Sequence, residues 1–159
     1  MATVVVDANV LIAARLSRDQ NHERGVAIAQ AVNCLGVKPR GTRPAQPVDK
    51  GSLPTAYVPS DVLHEIVNYL QAKAGHDVAT KTLDAVIESS GFSLKQTTKS
   101  DFETGRSLFR RYEPLSLTDA VIVALMQRKD IDYLYSFDDE FDSVSWITRF
   151  TTPDNPFEQ

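Results

Sequence analysis

The chain has 159 residues, enough for one domain that buries a core without disulfides or a structural metal. Its net charge of −4, from 21 acidic and 17 basic side chains, argues against a protein that coats nucleic acid through one large positive surface. A single cysteine excludes an internal disulfide, and no apolar run reaches the roughly 20 residues of a membrane span, so we expect a soluble cytoplasmic protein.

The first predicted element is a buried strand that ends in a carboxylate. Val4 to Val6 form a continuous apolar run, which is typical of a central parallel strand. Asp7 follows at the carboxyl end of this strand, where open α/β sheets bind their ligands. Asp is also a favoured N-cap, and a helix is predicted over 10–16. Asp7 is therefore either a ligand-binding residue or a helix cap.

A second helix, over 26–32, precedes a segment with a different composition. Residues 36–56 are rich in glycine and proline, which makes regular structure improbable, and they carry a surplus of three positive charges. Such a segment is either a mobile insertion with solvated charges or a basic arm that contacts a phosphate backbone or a partner protein. The candidate contacts in this arm are Lys38, Arg40 and Arg43.

A short strand at 57–59 leads into a helix that we expect Ser60 or Asp61 to cap. The apolar residues between 62 and 70 form one stripe at helical spacing. Glu65 lies roughly 130° from the centre of this stripe on a wheel of 100° per residue. By periodicity alone, Glu65 is a solvated surface residue.

The most apolar helix of the chain opens after Leu115. Residues 121–126 are apolar without interruption, so we expect this helix to pack on several sides. Ser116 and Asp119 have the spacing of a capping box, which would give Asp119 a structural role. A carboxylate at the start of such a helix also tends to face the crevice of the sheet, so both roles stay open.

The last predicted elements surround a run of acids. A strand at 133–137 ends in the acidic residues Asp138 to Asp142, which are either a solvated turn or part of a site. A final strand is predicted at 146–150, and the tail 151–159 is predicted to be irregular. A helix at 78–87, a strand at 92–96 and a helix at 99–111 complete the pattern.

Four of the acids fall at one edge of the predicted parallel sheet, given right-handed crossovers: Asp7, Glu65, Asp119 and Asp138. Unpaired carboxylates at this density would repel one another and raise each other's pKa. A divalent cation that prefers oxygen ligands, Mg²⁺ or Mn²⁺, would remove the repulsion. Such a cation can activate water and stabilise the leaving oxygen of a phosphodiester. The sequence therefore predicts an α/β fold with an acidic metal site.

The motifs around these acids resemble those of the PIN-domain ribonucleases, most nearly the VapC-type toxins of toxin–antitoxin pairs. The resemblance covers roughly residues 3–150 and rests on Val-Val-Asp7-Ala-Asn9-Val, Glu65 in its helix, Leu-Ser-Leu-Thr-Asp119-Ala and Tyr-Ser136-Phe-Asp138. It implies one PIN-like domain over 1–150, with an α/β/α arrangement of three layers around a parallel sheet of about five strands. The insertion at 36–56 departs from the compact pattern of the small toxins.

The resemblance also implies a function, an endoribonuclease that hydrolyses RNA with Mg²⁺ or Mn²⁺ and a metal-activated water. Asp7 and Asp119 would be the central metal ligands, and Glu65 and Asp138 would complete the catalytic quartet. Asp142 is the alternative fourth acid. The polar residues that would orient this site are Asn9, Ser136 and Thr118, and the basic residues that would contact RNA are Lys38, Arg40 and Arg43.

The implied partners are an RNA substrate, a cognate antitoxin and a second copy of the chain in a homodimer. Two other functions keep the same fold: a nuclease of RNA processing or turnover, and a non-catalytic member that binds RNA or protein. A receiver-like signalling domain also gathers acids and Mg²⁺ at a sheet edge. It would need adjacent acids after the first strand and a lysine near the last, and the sequence has neither.

Overall fold

The computed structural model describes residues 2–33 and 53–158, so the predictions for Lys38, Arg40 and Arg43 lie outside the described residues. Within these ranges the chain alternates strands and helices. The elements are β1 (Thr3–Val6), α1 (Ala8–Arg15), α2 (His22–Asn33), β2 (Thr55–Pro59), α3 (Ser60–Ala74), α4 (His76–Glu88), β3 (Phe92–Lys95), α5 (Lys99–Arg111), α6 (Leu117–Lys129), β4 (Tyr133–Tyr135), a 3₁₀ turn η1 (Asp139–Ser143) and β5 (Thr148–Phe150).

The five strands form one parallel sheet in the order β3-β2-β1-β4-β5. β1 lies in the centre, where Val5 pairs with Tyr57 of β2 on one side and with Leu134 of β4 on the other. The chain leaves β1 toward β2 first and returns to the other side of β1 only with β4. The carboxyl ends of β1 and β4 therefore form the switch point at which open α/β sheets bind ligands.

The core lies around β1 and α6. Val4, Val5 and Val6 are 0% exposed although successive side chains point to opposite faces, so both faces of the sheet are covered. Helix α6 is buried from Asp119 to Met126, which confirms the expected packing on several sides. The predicted α/β fold with a five-stranded parallel sheet is confirmed. No helix among the described residues has the length and apolar character needed to cross a membrane.

The irregular segment predicted at 36–56 ends earlier than expected. Strand β2 begins at Thr55, and Ala56, which is fully buried, pairs with Phe92 of β3. Leu53 is also buried, and its backbone N–H donates to the Ala31 carbonyl at 2.9 Å. The glycine- and proline-rich composition therefore extended the predicted irregular segment too far, into the first residues of β2. Few apolar residues stand at the start of this strand to indicate it.

The predicted capping of α3 by Ser60 or Asp61 was wrong. Pro59 occupies the N-cap position and makes no side-chain cap, and Ser60 is already helical and buried. The Ser60 hydroxyl lies 3.1 Å from the Thr97 hydroxyl and accepts a hydrogen bond from the Thr97 backbone N–H at 3.0 Å. This side chain joins the start of α3 to the segment after β3, so it is unavailable as a cap.

Several element boundaries also differ from the predictions. Helices α1 and α2 begin at Ala8 and His22, two and four residues earlier than predicted, and α4 begins at His76. The predicted strands at 92–96, 133–137 and 146–150 are shortened to β3, β4 and β5. After β4, the Ser136 N–H still donates to the Phe150 carbonyl of β5 at 3.1 Å, and the Phe137 N–H then donates to the side chain of Asn9 at 3.1 Å.

Candidate functional site

Asp7 lies directly after β1 and is 5% exposed. One carboxylate oxygen, Oδ1, accepts a hydrogen bond from the Ala8 N–H at 2.8 Å, so Asp7 does cap α1. The other oxygen, Oδ2, accepts from the Ser136 hydroxyl at 2.9 Å and from the Asn9 amide at 3.3 Å. The cap and the site residue are therefore the same side chain, and the two interpretations of Asp7 do not exclude each other.

Asn9 and Ser136 connect the ends of β1 and β4. The Asn9 amide nitrogen lies 3.2 Å from the Ser136 hydroxyl oxygen, and its amide oxygen accepts a hydrogen bond from the Phe137 N–H at 3.1 Å. The Ser136 oxygen also accepts from the Asp138 N–H at 3.1 Å. This network fixes the backbone that follows β4 and thereby positions Asp138 near Asp7.

Asp119 reaches the same edge of the sheet from the start of α6. Its backbone N–H donates to the Ser116 hydroxyl at 3.1 Å, and its Oδ2 accepts from the Ser116 N–H at 3.3 Å, which confirms the predicted capping box. The side chain is 9% exposed. The capping box holds one carboxylate oxygen of Asp119 in place. Thr118 precedes it and is half-buried.

Three carboxylates form a group that could hold a cation. Asp119, Asp138 and Glu140 each place one carboxylate oxygen within 4.8 Å of the others. Asp138 is the N-cap of η1, and its Oδ1 accepts a hydrogen bond from the Glu140 N–H at 3.0 Å. Glu140 was missing from the residues assigned to the site from the sequence. Glu140 lies in an exposed acidic turn. Its position two residues after Asp138 is the one feature of the sequence that indicates a place in this group.

Glu65 lies at the rim of this group, in the second turn of α3, and is exposed as periodicity predicted. Its proximity to the other acids appears in its ionisation. Partial desolvation and then the charge of Asp119 raise the pKa of Glu65 above its ordinary value. The Asp119 and Glu65 charges likewise contribute to a raised pKa at Asp7. The charges of Asp7, Glu65 and Asp119 are therefore close enough to repel one another.

Burial is the main cause of the raised pKa values. It raises the pKa of Asp7 to about 7, against the lowering effect of the hydrogen bonds from Ser136 and Ala8. Burial also raises the pKa of Asp119, and the charge of Asp138 adds to this rise. The groups that oppose these shifts are hydrogen-bond donors rather than positive side chains. Oxygen ligands with uncompensated negative charge fit a hard divalent cation such as Mg²⁺ or Mn²⁺.

Asp142 is held away from this group by an ion pair. Its two carboxylate oxygens accept hydrogen bonds from the guanidinium of Arg149 at 2.9 and 3.0 Å. This pairing lowers the pKa of Asp142. Arg149 also donates to the Ser136 carbonyl at 3.1 Å. Asp138, with an oxygen beside Asp119 and Glu140, is therefore the better candidate for the fourth acid.

Comparisons with known proteins identify the family of the chain. A protein-family model described as "PIN domain" matches residues 4–147. A VapC ribonuclease of Mycobacterium bovis is 34% identical over 90 residues, a region that covers 57% of this chain and 68% of that protein. Ribonuclease VapC13 of Mycobacterium tuberculosis is similar to the same extent, with 34% identity over 90 residues.

Solved structures of toxins share the fold. One is VapC20 of Mycobacterium tuberculosis, a toxin that cleaves the sarcin–ricin loop. It superposes with a TM-score of 0.70 at 19% identity, and the match covers 91% of this chain and 96% of the VapC20 chain. A toxin–antitoxin complex from Klebsiella pneumoniae gives a TM-score of 0.57 at 16% identity, over 96% of this chain and 98% of that chain. VapBC2 of Rickettsia felis, solved with a DNA fragment of its promoter, gives a TM-score of 0.61 at 11% identity. The match covers 93% of this chain and 97% of that chain.

Proposed function

This chain belongs to the PIN-domain family, and we propose that it is an endoribonuclease that acts as the toxin of a toxin–antitoxin pair. One observation carries the proposal. The carboxylates of Asp119, Asp138 and Glu140 converge at the switch point of the sheet, beside the buried Asp7. The reaction is the hydrolysis of an RNA phosphodiester bond, with water as the nucleophile.

The donor set supports a divalent cation as cofactor. Asp7, Asp119 and Asp138 would hold it, with Glu140 and Glu65 completing the ligands directly or through water. When bound, such a cation supplies positive charge that favours the ionisation of water and stabilises the negative oxygens of the phosphodiester. Mg²⁺ and Mn²⁺ are both compatible with a site made of carboxylates.

The polar residues of the site keep the acids in place. Ser136 holds Asp7 Oδ2, and Asn9 prevents the residues after β4 from moving away from α1. The capping box of α6 fixes the carboxylate of Asp119. These contacts orient the acids before substrate binds, so the site loses little free energy to reorganisation during the reaction.

The partners follow from the same proposal. RNA is the substrate, and a small antitoxin protein would inhibit the site, a role supported by the solved toxin–antitoxin complex of the same fold. We further propose a homodimer and a cytoplasmic location, in one domain over 1–150. Because Lys38, Arg40 and Arg43 are basic and close together in the sequence, we propose them as RNA contacts.

Two experiments test this function. Purified protein is incubated with structured and unstructured RNA in Mg²⁺, Mn²⁺ or EDTA, and we expect cutting in a divalent cation and none in EDTA. Expression in a bacterial host should arrest growth, and co-expression of the cognate antitoxin should restore growth. Metal-dependent cutting without growth arrest would instead favour a nuclease of RNA processing or turnover. Cutting in EDTA at the same rate as in Mg²⁺ or Mn²⁺ would contradict the metal-dependent mechanism.

A further inference from the structure

A basic cavity lies at the ends of α1 and α3 that are farther from the acidic group. Its volume is about 710 Å³. Its polar and aromatic lining includes Arg15, Arg18, Asp19, Tyr69 and Lys73. Three cations against one carboxylate give this cavity a surplus of two positive charges, in a chain whose net charge is −4.

The cations of the cavity have no ionic partner among the residues that the structure describes. Across 2–33 and 53–158, the salt bridges involve Lys81, Arg128 and Arg149, and none reaches Arg15 or the other two cations of the cavity. Asp19 is occupied by a hydrogen bond from the Asn21 N–H at 2.8 Å.

Arg15 is the most informative of these residues because it is half-buried. Burial lowers the pKa of its guanidinium, and no attraction to a carboxylate of the described residues opposes the shift. A partly desolvated cation with no carboxylate partner among the described residues attracts an external anion more strongly than a fully solvated cation does. The cavity therefore has the electrostatic character of an anion site.

Two helices connect this cavity to the acidic group. α1 begins directly after Asp7 and ends at Arg15, and α3 carries Glu65, Tyr69 and Lys73 at intervals of four residues. Residues four apart lie on one helix face, so these three side chains form a row that leads from the acids to the cavity. At 1.5 Å per residue, the row from Glu65 to Lys73 is roughly 12 Å long. The two helices pack against each other.

We propose that this cavity binds a phosphate of the RNA strand away from the bond that is cut, with Tyr69 stacking on a nearby base. The proposal rests on the proposed function, because it places one strand across both sites. Tyr69 is 44% exposed, so its ring is available for contact. A positive groove with an aromatic side chain is the usual means of binding single-stranded nucleic acid without reading its sequence.

The test measures binding in EDTA, where the nuclease does not cut. A labelled single-stranded RNA oligonucleotide is titrated with wild-type protein and with the triple variant Arg15→Gln, Arg18→Gln, Lys73→Gln at several salt concentrations. The matched control removes three exposed charges from α5, with Arg106→Gln, Arg110→Gln and Arg111→Gln. Because Arg18 and Lys73 are exposed, the double variant Arg18→Gln, Lys73→Gln serves if the triple variant does not fold.

We expect the triple variant to bind RNA more weakly than the control, at equal net charge. The slope of the logarithm of the binding constant against the logarithm of salt concentration should fall by about 0.7 for each phosphate that the variant no longer binds. Tyr69→Ala should weaken binding by about fivefold or more, and Tyr69→Phe should restore it.

Equal affinity and equal salt slope in the triple variant and its control would overturn the proposal. The same holds if the triple variant keeps its RNA affinity and loses binding to the antitoxin, because the cavity would then be a protein-binding surface. In both cases, metal-dependent cutting by the wild-type protein would leave the proposed function intact. A wild-type protein that neither cuts nor binds RNA would instead refute the proposed function together with this inference.

Discussion

The Ser136 hydroxyl donates a hydrogen bond to Asp7 Oδ2 at 2.9 Å, across 129 positions of sequence. The two residues meet because β1 and β4 are neighbours in the sheet and both end at this point. The Asp7 N–H also donates to the Tyr135 carbonyl at 3.0 Å, so backbone and side chain together align the two strand ends. This contact couples the first acid of the site to the turn that carries Asp138 and Glu140.

Ser136→Ala should weaken metal binding and leave the fold in place. The substitution leaves Asp7 Oδ2 and the Asp138 N–H without their shared partner, and it removes a bond that lowers the pKa of Asp7. We expect a loss of stability of about 1–3 kcal/mol and a higher Mg²⁺ concentration for half-maximal cutting. Denaturant unfolding and cutting rates at graded Mg²⁺ measure both effects. Ser107→Ala, at an exposed position of α5, is the control. An equal rise in the Mg²⁺ concentration for half-maximal cutting in both variants would contradict the role of Ser136.

Glu140 and Asp142 should differ in their importance for cutting, although they are two residues apart. Glu140→Gln removes a carboxylate from the group around Asp119, and we expect a loss of roughly tenfold or more in activity at limiting metal. Asp142→Asn breaks an exposed pair with Arg149, which lowers stability by at most about 1 kcal/mol, and it should cut nearly as well as wild type. Cutting rates of the two variants at the same Mg²⁺ concentration decide the point. The reverse order of effects would assign the fourth acid to Asp142.

The sequence predicted the parts of the molecule that depend on local patterns. The run Val4 to Val6 predicted a central buried strand, and the spacing of Ser116 and Asp119 predicted the capping box at the start of α6. The uninterrupted apolar residues 121–126 predicted a helix packed on several sides. Each prediction succeeded because burial or capping acts within a few residues of the chain, where sequence spacing determines geometry.

The contacts between distant segments could not be predicted in this way. Nothing local to Asp142 signals its pairing with Arg149 on β5, and nothing local to Ser60 signals its bond to Thr97. Glu140 was missed because exposed acidic turns are common and because Asp119, one of the two acids beside it, belongs to α6. The quartet of acids followed from the resemblance to a family, because periodicity alone assigned Glu65 to the solvated surface.

The ion pair between Asp101 and Arg128 should make stability depend on acid pH. Burial pushes the pKa of Asp101 up, but hydrogen bonds from Arg128 and Thr98, with the charge of Arg128, hold it below its ordinary value. A lowered pKa gives stability that is complete above about pH 3.9, the unfolded value, and is lost as pH falls through the folded value.

Asp101→Asn should therefore destabilise the protein by about 2–3 kcal/mol at pH 7, because Asp101 is buried and binds Arg128 through two hydrogen bonds. Urea unfolding at pH 7 and pH 3 measures the difference from wild type, which should shrink at the lower pH. The exposed pair between Lys81 and Asp77 supplies the control, since Asp77→Asn should change stability by less than about 0.5 kcal/mol. An Asp101→Asn effect of equal size at both pH values would contradict the electrostatic explanation.

The metal-free site should destabilise the fold at neutral and alkaline pH. Burial is the main reason that the pKa of Asp7 is raised to about 7. The hydrogen bond from Ser136 opposes this rise, and the charge of Asp119 adds to it. A raised pKa gives stability that is complete below about pH 3.9 and is lost as pH rises through the folded value. The stability of Asp7→Asn relative to wild type in EDTA should therefore rise between pH 5 and pH 8, by at most about 3 kcal/mol. Thermal unfolding at both pH values measures this gain. A difference between variant and wild type that does not change with pH would contradict it.

The most direct test of the proposed catalytic centre is RNA cutting by wild type, Asp7→Asn and Asp119→Asn in Mg²⁺, with circular dichroism to establish that all three proteins are folded. Each substitution replaces a proposed ligand oxygen by an amide nitrogen at nearly constant volume. We expect cutting by the wild-type protein and none by either variant. Substantial activity in both folded variants would contradict the assignment of the acidic group as the catalytic centre.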